Sequence, residues 1–444
     1  MKKIAIIGGG YTGLVAAGDL ARRPGCEVHL YERSEALGGL ASDFTIQGHS
    51  LEKTYHHLFQ SDTDILGMIE ELGLAELMEW RDSSVAILHG RKAYPFMSPT
   101  DVLRFSPIPF HARLRLGFVM LYLKLRKDWQ PYVNRTALDW MRKACGPHAA
   151  RVIWEPLLKG KFAQMFDRVS MAWLWARIHI RANSRQAGSG EKLGYIRGGF
   201  SQFTNALVQR FQQAGGHVHL NSAISRLDQQ PEGGVGLTTD AGVTRYDAVI
   251  FTGSCSAFAR LLPEQANLTA YQAQLRSIPY LGAICLIFAT DQDIGDQYWL
   301  NVNQADAPFL VFINHTRFIP RERYNSKHVY YIGSYQSMDS HLFNASTDEI
   351  KTKWYDYLHG IYPAFDRASI VEEHLFKLRD AQHVVEPGYP GRKPDYQTPI
   401  SGLYLANFAQ IFPEDRGTNY AVREGRQIAQ LLERDMKLAP TPRG

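Results

Sequence analysis

The chain has 444 residues, of which 45% are hydrophobic and 21% charged, and its formal net charge at pH 7 is +5. This length and composition predict a globular protein of two or more domains, and the small charge, with no basic tract or nucleic-acid motif, predicts no binding to nucleic acid. Four scattered cysteines without a CxxC pair predict neither a disulfide framework nor a metal site.

The first predicted elements are a buried strand, a glycine-rich turn and a helix. The strand Lys3–Ile7 runs into Gly8, Gly10 and Gly13, which form a GxGxxG pattern. In a dinucleotide-binding fold Gly8 allows the tight turn, Gly10 lets the backbone approach a pyrophosphate, and Gly13 lets the helix pack closely on the strand. The start of the helix, with Thr12 in its first turn, then offers free N–H groups to the phosphates.

A second predicted strand, Val28–Tyr31, ends at Glu32. Glu32 stands roughly 20 residues past the glycines, where this motif places the acceptor for the ribose hydroxyls. A carboxylate at this point would repel the 2′-phosphate of NADP, so the pattern favours NAD or FAD.

Arg33 and a glycine doublet come next, followed by two apolar residues: Gly38, Gly39, Leu40 and Ala41. Such a doublet lets the backbone pass close to a pyrophosphate and a ribityl chain. Together the two glycine motifs resemble the N-terminal signature of the FAD-dependent amine oxidase superfamily, which includes monoamine and polyamine oxidases, protoporphyrinogen oxidases, phytoene desaturases and UDP-galactopyranose mutases. The resemblance implies FAD as the cofactor. We expect it to be non-covalent, because no cysteine or histidine falls in a recognised attachment context.

Two later segments extend the resemblance. Tyr195–Phe200 precedes an amphipathic helix, Gln202–Ala214, and strands follow up to Thr252 and Gly253; the resemblance places the backbone at Ile224 near the adenine.

Near the C-terminus a strand, Gly402–Asn407, and a helix that begins near Gly417 correspond to the part of the superfamily that lies beside the flavin. The usual Gly-Asp is replaced here by Ala406-Asn407, so we expect Asn407 to bond a cofactor hydroxyl. The helix start should lie at the flavin with three residues: Thr418, Asn419 and Tyr420.

The resemblance implies an α/β fold in which a discontinuous, Rossmann-type (GR2-like) FAD-binding domain carries a mixed α+β substrate domain. We assign 1–80, 191–264 and 396–436 to the FAD domain, 81–190 and 265–395 to the substrate domain, and 437–444 to a flexible tail. The first insertion is predicted to be helical. The second is predicted to contain three strands and a helix, namely Leu281–Ala289, Phe309–Asn314, His328–Ser334 and Thr347–Tyr357.

Three histidines are the candidates for acid–base chemistry. His56 and His57 lie where the superfamily runs a segment past the flavin. Adjacent residues of an extended chain point to opposite sides, so one should face the ring; the alternative is a structural pair. His315, at the end of a strand-like run, is the third candidate, and Asn314 beside it is a candidate substrate contact.

A basic cluster in the first insertion is the candidate for binding an anionic substrate group. Its members stand among tryptophans and other aromatic residues: Lys161, Arg177, Arg181 and Arg185. If these side chains share one face, they would hold a phosphate or carboxylate. The alternative is a solvated helix face.

Residues 107–127 form a basic and apolar stretch. We expect a core helix of the substrate domain rather than a helix on a membrane surface, which is the alternative. The chain has no apolar run of about 18 residues that would span a membrane, and its N-terminal apolar stretch breaks at Gly8, unlike a signal peptide. We therefore expect a cytoplasmic protein, peripheral to the membrane in the alternative case.

These features predict an FAD-dependent oxidoreductase that transfers a hydride from its substrate to the flavin. The alternative is a flavoenzyme like UDP-galactopyranose mutase, which acts on a sugar nucleotide or another anionic glycosyl substrate without net redox change. A non-catalytic flavin-binding protein is a third alternative. The identity of the substrate and the oligomeric state stay open.

Overall fold

The computed structural model describes residues 1–183, 191–304 and 306–439. Its strands are β1 Lys2–Ile7, β2 Cys26–Tyr31, β3 Asp43–Ile46, β4 His49–Glu52, β5 Met78–Asp82, β6 Val85–His89, β7 Lys92–Pro95, β8 Lys192–Ile196, β9 His217–His219, β10 Arg226–Gln229, β11 Val235–Thr239, β12 Gly242–Tyr246, β13 Ala248–Phe251, β14 Tyr280–Thr290, β15 Trp299–Val302, β16 Val311–Asn314, β17 His328–Gln336, β18 Ile370–His383 and β19 Leu403–Leu405. Its α-helices are α1 Tyr11–Ala21, α2 Thr63–Glu71, α3 Pro99–Arg104, α4 Phe110–Leu125, α5 Ala137–Cys145, α6 Pro147–Ala149, α7 Glu155–Phe162, α8 Met171–Asn183, α9 Ser201–Gln213, α10 Cys255–Leu261, α11 Thr269–Arg276, α12 His341–Asn344, α13 Thr347–Ile361 and α14 Thr418–Asp435.

A parallel sheet forms the first layer, and in the described part of the chain its order is β19-β13-β1-β2-β9. Ile4 on the central strand pairs with Val28 on one side and Ala248 on the other. Helices α1, α9 and α14 pack together over this sheet, and their apolar side chains share one buried core. The strands come from three separate parts of the chain, which confirms the α/β, Rossmann-type fold with a discontinuous nucleotide-binding part.

The second layer is a mixed sheet with the order β18-β14-β17-β16-β15-β6-β7 among the described residues. Strand β14 is buried along its whole length. One face of the sheet packs against α13 through Trp354 and Leu358. Side chains of the other face, such as Ile287 and Tyr331, share a buried core with the parallel sheet. The hydroxyl of Tyr331 also donates to the backbone oxygen of Glu52 on β4 over 2.9 Å.

Most predicted elements of the substrate domain are present, and the differences have a common cause. The predicted strands correspond to β14, β16 and β17, and the predicted helix to α13. The first insertion is not only helical, because β6 and β7 at its start join the second sheet through β15. Such short strands are stabilised by partners far away in sequence, so local pattern identifies them poorly. The proposed domain boundaries stay predictions.

Helix α4 is expected to be a core helix, but only one of its faces is buried. Ala112, Leu116 and Leu123 are buried, but Phe118 and Leu125 are 72% and 69% exposed. No helix of the described residues is long and apolar enough to cross a membrane.

Candidate functional site

The first glycine turn lies at the carboxyl end of β1, and two of its positions exclude any side chain. Gly8 has a φ of +112°, and a Cβ atom there would lie 2.3 Å from Oγ1 of Thr252. A Cβ atom on Gly13 would lie 2.0 Å from the backbone oxygen of Gly8. Helix α1 therefore starts in direct backbone contact with the turn, as the motif requires.

The second glycine turn lies against the first. The N–H of Gly38 donates to the oxygen of Gly9 over 2.8 Å, and a Cβ atom on Gly39 would lie 3.0 Å from Cα of Gly10. Gly38 and Gly39 both have positive φ, and Gly39 leads into a short 3-10 turn that contains Leu40 and Ala41. The two motifs thus form one side-chain-free backbone surface.

Glu32 closes one end of this surface. Its Oε2 atom accepts from the N–H of Gly9 over 2.7 Å, and its Oε1 atom accepts from the N–H of Ser34 over 2.9 Å. The loop between β9 and β10 runs alongside, because the N–H of Ser222 donates to the oxygen of Glu32. Ile224 lies partly buried in that loop, and Arg33 next to Glu32 is exposed. Glu32 therefore lies between the first glycine turn and the loop that carries Ile224.

Two helix starts meet beside the glycine surface. Helices α1 and α14 both begin without a side-chain cap and without an acidic residue in the first turn. The hydroxyl of Thr12 donates to the oxygen of Ala421 over 3.1 Å, and a Cβ atom on Gly425 would lie 2.8 Å from Cβ of Val15. Two uncapped helix starts side by side present N–H donors and the positive ends of two helix dipoles.

These features fit a flavin dinucleotide. The glycine surface and the start of α1 would hold its pyrophosphate, Glu32 its ribose, the loop at Ile224 its adenine, and the start of α14 (Thr418–Tyr420) its flavin end. A bound flavin would supply hydride acceptance.

Asn407 and Asn419 use their side chains within the protein. Asn407 is buried; its Nδ2 atom donates to the oxygen of Gly253 over 2.6 Å and its Oδ1 atom accepts from the N–H of Ala409 over 2.8 Å. The Oδ1 atom of Asn419 accepts from the N–H groups of Asp64 and Ile65, at the start of α2. At Tyr420 the ring lies under the guanidinium of Arg423. The direct cofactor contacts predicted for these side chains stay predictions.

His56 and His57 contact different partners, and whether one of them faces the flavin stays a prediction. Nδ1 of His56 lies 2.7 Å from the oxygen of Thr54, and Nδ1 of His57 lies 3.1 Å from the hydroxyl of Tyr298. Burial lowers the pKa of His56 to about 4, and burial together with the charges of Arg181 and Arg177 lowers the pKa of His57 to about 3. Both rings are therefore neutral at pH 7, which suits hydrogen bonding better than proton uptake.

His315 and Asn314 are enclosed. Nε2 of His315 lies 2.9 Å from the hydroxyl of Tyr324, and burial lowers the pKa of this histidine to about 3. Asn314 is fully buried on the other face of the sheet, where its amide donates to the oxygens of Ile294 and Gly295. The amide of Asn314 is therefore bound within the protein, and its expected substrate contact stays a prediction.

The basic cluster is assembled around one acid, Asp415, which belongs to none of the predicted sites. Nζ of Lys161 lies 2.8 Å, and Nη1 of Arg177 2.9 Å, from the same Oδ2 atom of Asp415. Arg416 donates to the hydroxyl of Tyr335 over 2.8 Å. Lys161 is only 8% exposed, so the alternative of a solvated helix face is wrong for this residue. Arg185 lies outside the described residues.

Charge in this cluster is unbalanced. Among the described residues three cations, Lys161, Arg177 and Arg416, act on the one carboxylate of Asp415, so positive charge exceeds negative charge there. Burial lowers the pKa of Lys161. Burial would raise the pKa of Asp415, but the neighbouring Lys161, Arg177 and Arg416 outweigh it and hold that pKa well below its ordinary value. The cluster, which we call the cationic wall, can therefore attract an anion or polarise a substrate.

His383 is a further member of this region. It is fully buried, and neither ring nitrogen has a hydrogen-bond partner among the described residues. Burial lowers its pKa to about 3. In the sequence, the pair Asp415-Arg416 could have been noticed because it directly precedes Gly417, where α14 begins. No local pattern marks Tyr335 or His383 as members of the site.

Comparison with known proteins agrees with this geometry. The chain matches the family described as flavin containing amine oxidoreductase over residues 11–432. It is 23% identical to a 15-cis-phytoene desaturase of Solanum lycopersicum, over 98% of this chain and 78% of that protein.

Two solved structures share the fold. A candidate protoporphyrinogen oxidase from Exiguobacterium sp. 255-15 has a TM-score of 0.77 at 18% identity, and the match covers 98% of this chain and 99% of that one. A reduced UDP-galactopyranose mutase has a TM-score of 0.74 at 15% identity, covering 97% and 95% of the two chains. The family match extends over nearly the whole chain. It includes the second glycine turn, and it begins just after Gly10 of the first. The protein therefore belongs to the family of flavin-containing amine oxidoreductases, which are flavin-dependent enzymes.

Proposed function

We propose that the protein is an oxidoreductase that binds FAD non-covalently and uses it to accept a hydride from an organic substrate. The observation that carries the proposal is the continuous backbone surface of Gly8–Gly13 and Gly38–Gly39, closed by the carboxylate of Glu32. An acid at this place suits the adenosine half of FAD and disfavours a 2′-phosphate.

The cofactor part of the proposal is tested on the purified protein. We expect a flavin absorbance spectrum, and we expect the flavin to stay in the supernatant when the protein is precipitated with acid. Flavin that remains in the pellet would contradict non-covalent binding. A colourless protein that does not respond to added FAD would contradict the cofactor altogether.

We further propose that the cationic wall binds the polar or anionic end of the substrate. Its aromatic surroundings favour a large organic substrate, since Nζ of Lys161 lies 5.2 Å from the centre of the Tyr335 ring and 5.6 Å from that of Trp173. The side chain of Arg177 is 29% exposed, and its charge helps to lower the pKa of His57. Arg177 is therefore the cation that we expect a substrate to meet.

Replacing Arg177 with alanine tests this role. We expect Arg177→Ala to leave the flavin content and spectrum intact and to raise KM by about one to two decades, because a charge-assisted hydrogen bond contributes roughly 1.5–3 kcal/mol. The salt dependence of KM should also decrease. Lys159→Ala is the matched control, since Lys159 is a cation of the neighbouring helix α7 that is exposed and paired with Glu155. Equal KM values for both variants would show that the wall does not bind substrate.

One observation favours the alternative, a mutase-like reaction on a sugar nucleotide. Arg177 and Arg181 lie four residues apart on α8, and the charges of both lower the pKa of His57. A pair of arginines suits a diphosphate. Parallel assays with amines, with phytoene and with UDP-sugars separate the reactions, each with the flavin oxidised and reduced. Turnover of a UDP-sugar only with reduced flavin, and without net redox change, would replace the oxidoreductase by the mutase.

A further inference from the structure

Exposed apolar side chains are concentrated on one segment of the surface. Among the described residues eleven large hydrophobic side chains are exposed, and seven of them lie between residues 103 and 125. They are Leu103, Phe110, Leu114, Phe118, Leu121, Tyr122 and Leu125. A contiguous exposed apolar patch on a globular protein marks a surface that contacts something else.

The six of these residues that belong to α4 form one stripe along the helix. They recur at spacings of three and four residues, which places them on a common face. The opposite face is occupied, because Ala112, Leu116 and Leu123 are buried in the main core. We call the exposed stripe the α4 face.

Within the segment that carries the α4 face, all the charged side chains are cations. The sequence from Val102 to Lys127 contains no aspartate or glutamate and six cations, namely Arg104, Arg113, Arg115, Lys124, Arg126 and Lys127. Lys124, Arg126 and Lys127 are exposed at the C-terminal end of the helix. The guanidinium groups of Arg113 and Arg126 also lie against the rings of Phe110 and Tyr122, so cationic and apolar groups share the same surface.

We propose that the α4 face docks the protein on an anionic lipid bilayer. An apolar stripe that projects aromatic and leucine side chains between cations fits a bilayer whose headgroups are negative and whose interior is apolar. A second copy of the chain fits less well, because it would bring a second set of six cations to the same interface.

The helix would lie flat on the bilayer and not cross it. Its 16 residues span about 24 Å, which is shorter than the roughly 30 Å of a hydrocarbon core, and its inner face stays packed on the protein. Helix α4 also packs against α8, the helix that carries Arg177 and Arg181. Docking would therefore bring the substrate domain, and the helix that bears part of the cationic wall, to the lipid surface. This inference is independent of the reaction.

Flotation of the full chain with lipid vesicles tests the proposal. The probes are vesicles of phosphatidylcholine alone and vesicles of phosphatidylcholine with phosphatidylglycerol, each at low and high salt. We expect binding to the anionic vesicles that weakens with salt and much weaker binding to the neutral ones. The variant Phe118→Ser/Leu121→Ser should lose about tenfold or more in binding. The matched control, Val243→Ser/Val371→Ser, changes two exposed apolar residues elsewhere and should bind like the wild type.

Three results would overturn the proposal. The first is no binding of the wild type to anionic vesicles. The second is equal binding of the two double variants. The third is a wild-type dimer in sedimentation that binds no vesicles and that Phe118→Ser/Leu121→Ser converts to a monomer, which would make a second copy the occupant of the α4 face.

Discussion

Gly39 meets Gly10 where the two glycine turns touch, and this approach leaves no room for a side chain. We expect Gly39→Ala to lower the affinity for FAD by about tenfold or more, because its Cβ atom would lie 3.0 Å from Cα of Gly10 and the turns would have to separate. Gly48→Ala is the matched control, since Gly48 also has a positive φ but nothing lies within 4 Å of its Cβ position. Both variants carry the roughly 1–2 kcal/mol strain of alanine at positive φ. Titration with FAD measures the difference, and equal affinities would mean that the turns can separate without consequence.

Glu52 is a buried carboxyl at the end of β4. It is 1% exposed and accepts from the N–H of Phe200 over 2.6 Å and from the hydroxyl of Tyr195 over 3.0 Å. Burial outweighs these bonds and raises its pKa from 4.5 to about 7. The folded state therefore holds this proton where the unfolded state has released it, so the free energy of unfolding falls as the pH rises from about 4.5 to about 7 and is constant above that.

The variant Glu52→Gln isolates this contribution. Between pH 5 and pH 8 we expect the wild type to lose about 2–3 kcal/mol of unfolding free energy relative to the variant. Buried histidines such as His315 act in the opposite direction below about pH 6.5 in both proteins, so they cancel in the comparison. Denaturant unfolding at a series of pH values measures this difference in unfolding free energy between the two proteins. Parallel curves for the two proteins would show that the carboxyl is ionised throughout.

At the scale of single elements, the start of α2 is capped by a residue from the other end of the chain. The preceding residue, Asp62, does not cap the helix with its side chain; Asn419 accepts from the N–H groups of Asp64 and Ile65 instead, over 2.9 and 3.1 Å. We expect Asn419→Ala to lower the free energy of unfolding by about 1–2 kcal/mol, the usual cost of a lost cap. Asn344→Ala, which removes an exposed asparagine, should change the thermal midpoint little. A midpoint for Asn419→Ala that equals the wild type would mean that water replaces the cap.

At the scale of the whole molecule, the nucleotide-binding sheet depends on contacts among three distant parts of the chain, and FAD would touch all three. We expect FAD at about 100 times its Kd to stabilise the protein by about 2.7 kcal/mol, which raises the thermal midpoint by a few degrees. Riboflavin is the control ligand, because it lacks the pyrophosphate and adenosine that the glycine turns and Glu32 would contact. Thermal scans at rising ligand concentration measure both. Equal shifts with the two ligands would show that these contacts contribute nothing.

The sequence by itself determined the features that depend on neighbouring residues. Gly8, Gly10, Gly13 and Glu32 lie within one strand–turn–helix–strand unit, so their spacing predicts their geometry. The long periodic helices α9 and α14 are predictable for the same reason, since local pattern specifies an amphipathic helix and its buried face. The family and the class of cofactor follow from these local units.

Only the tertiary structure decided which distant groups meet. Lys161 and Asp415 are far apart in the chain, and no local pattern indicates that this carboxylate pairs with Lys161 and Arg177. The apolar pattern of α4 predicts a helix with apolar residues, but whether a given face is covered depends on the elements that pack against it. The surroundings of Asn314 are equally unpredictable from local pattern, since its amide donates to the oxygen of Ile294, 20 residues away in the chain. Periodicity encodes the shape and polarity of an element, whereas its partners are set by the packing of the whole chain.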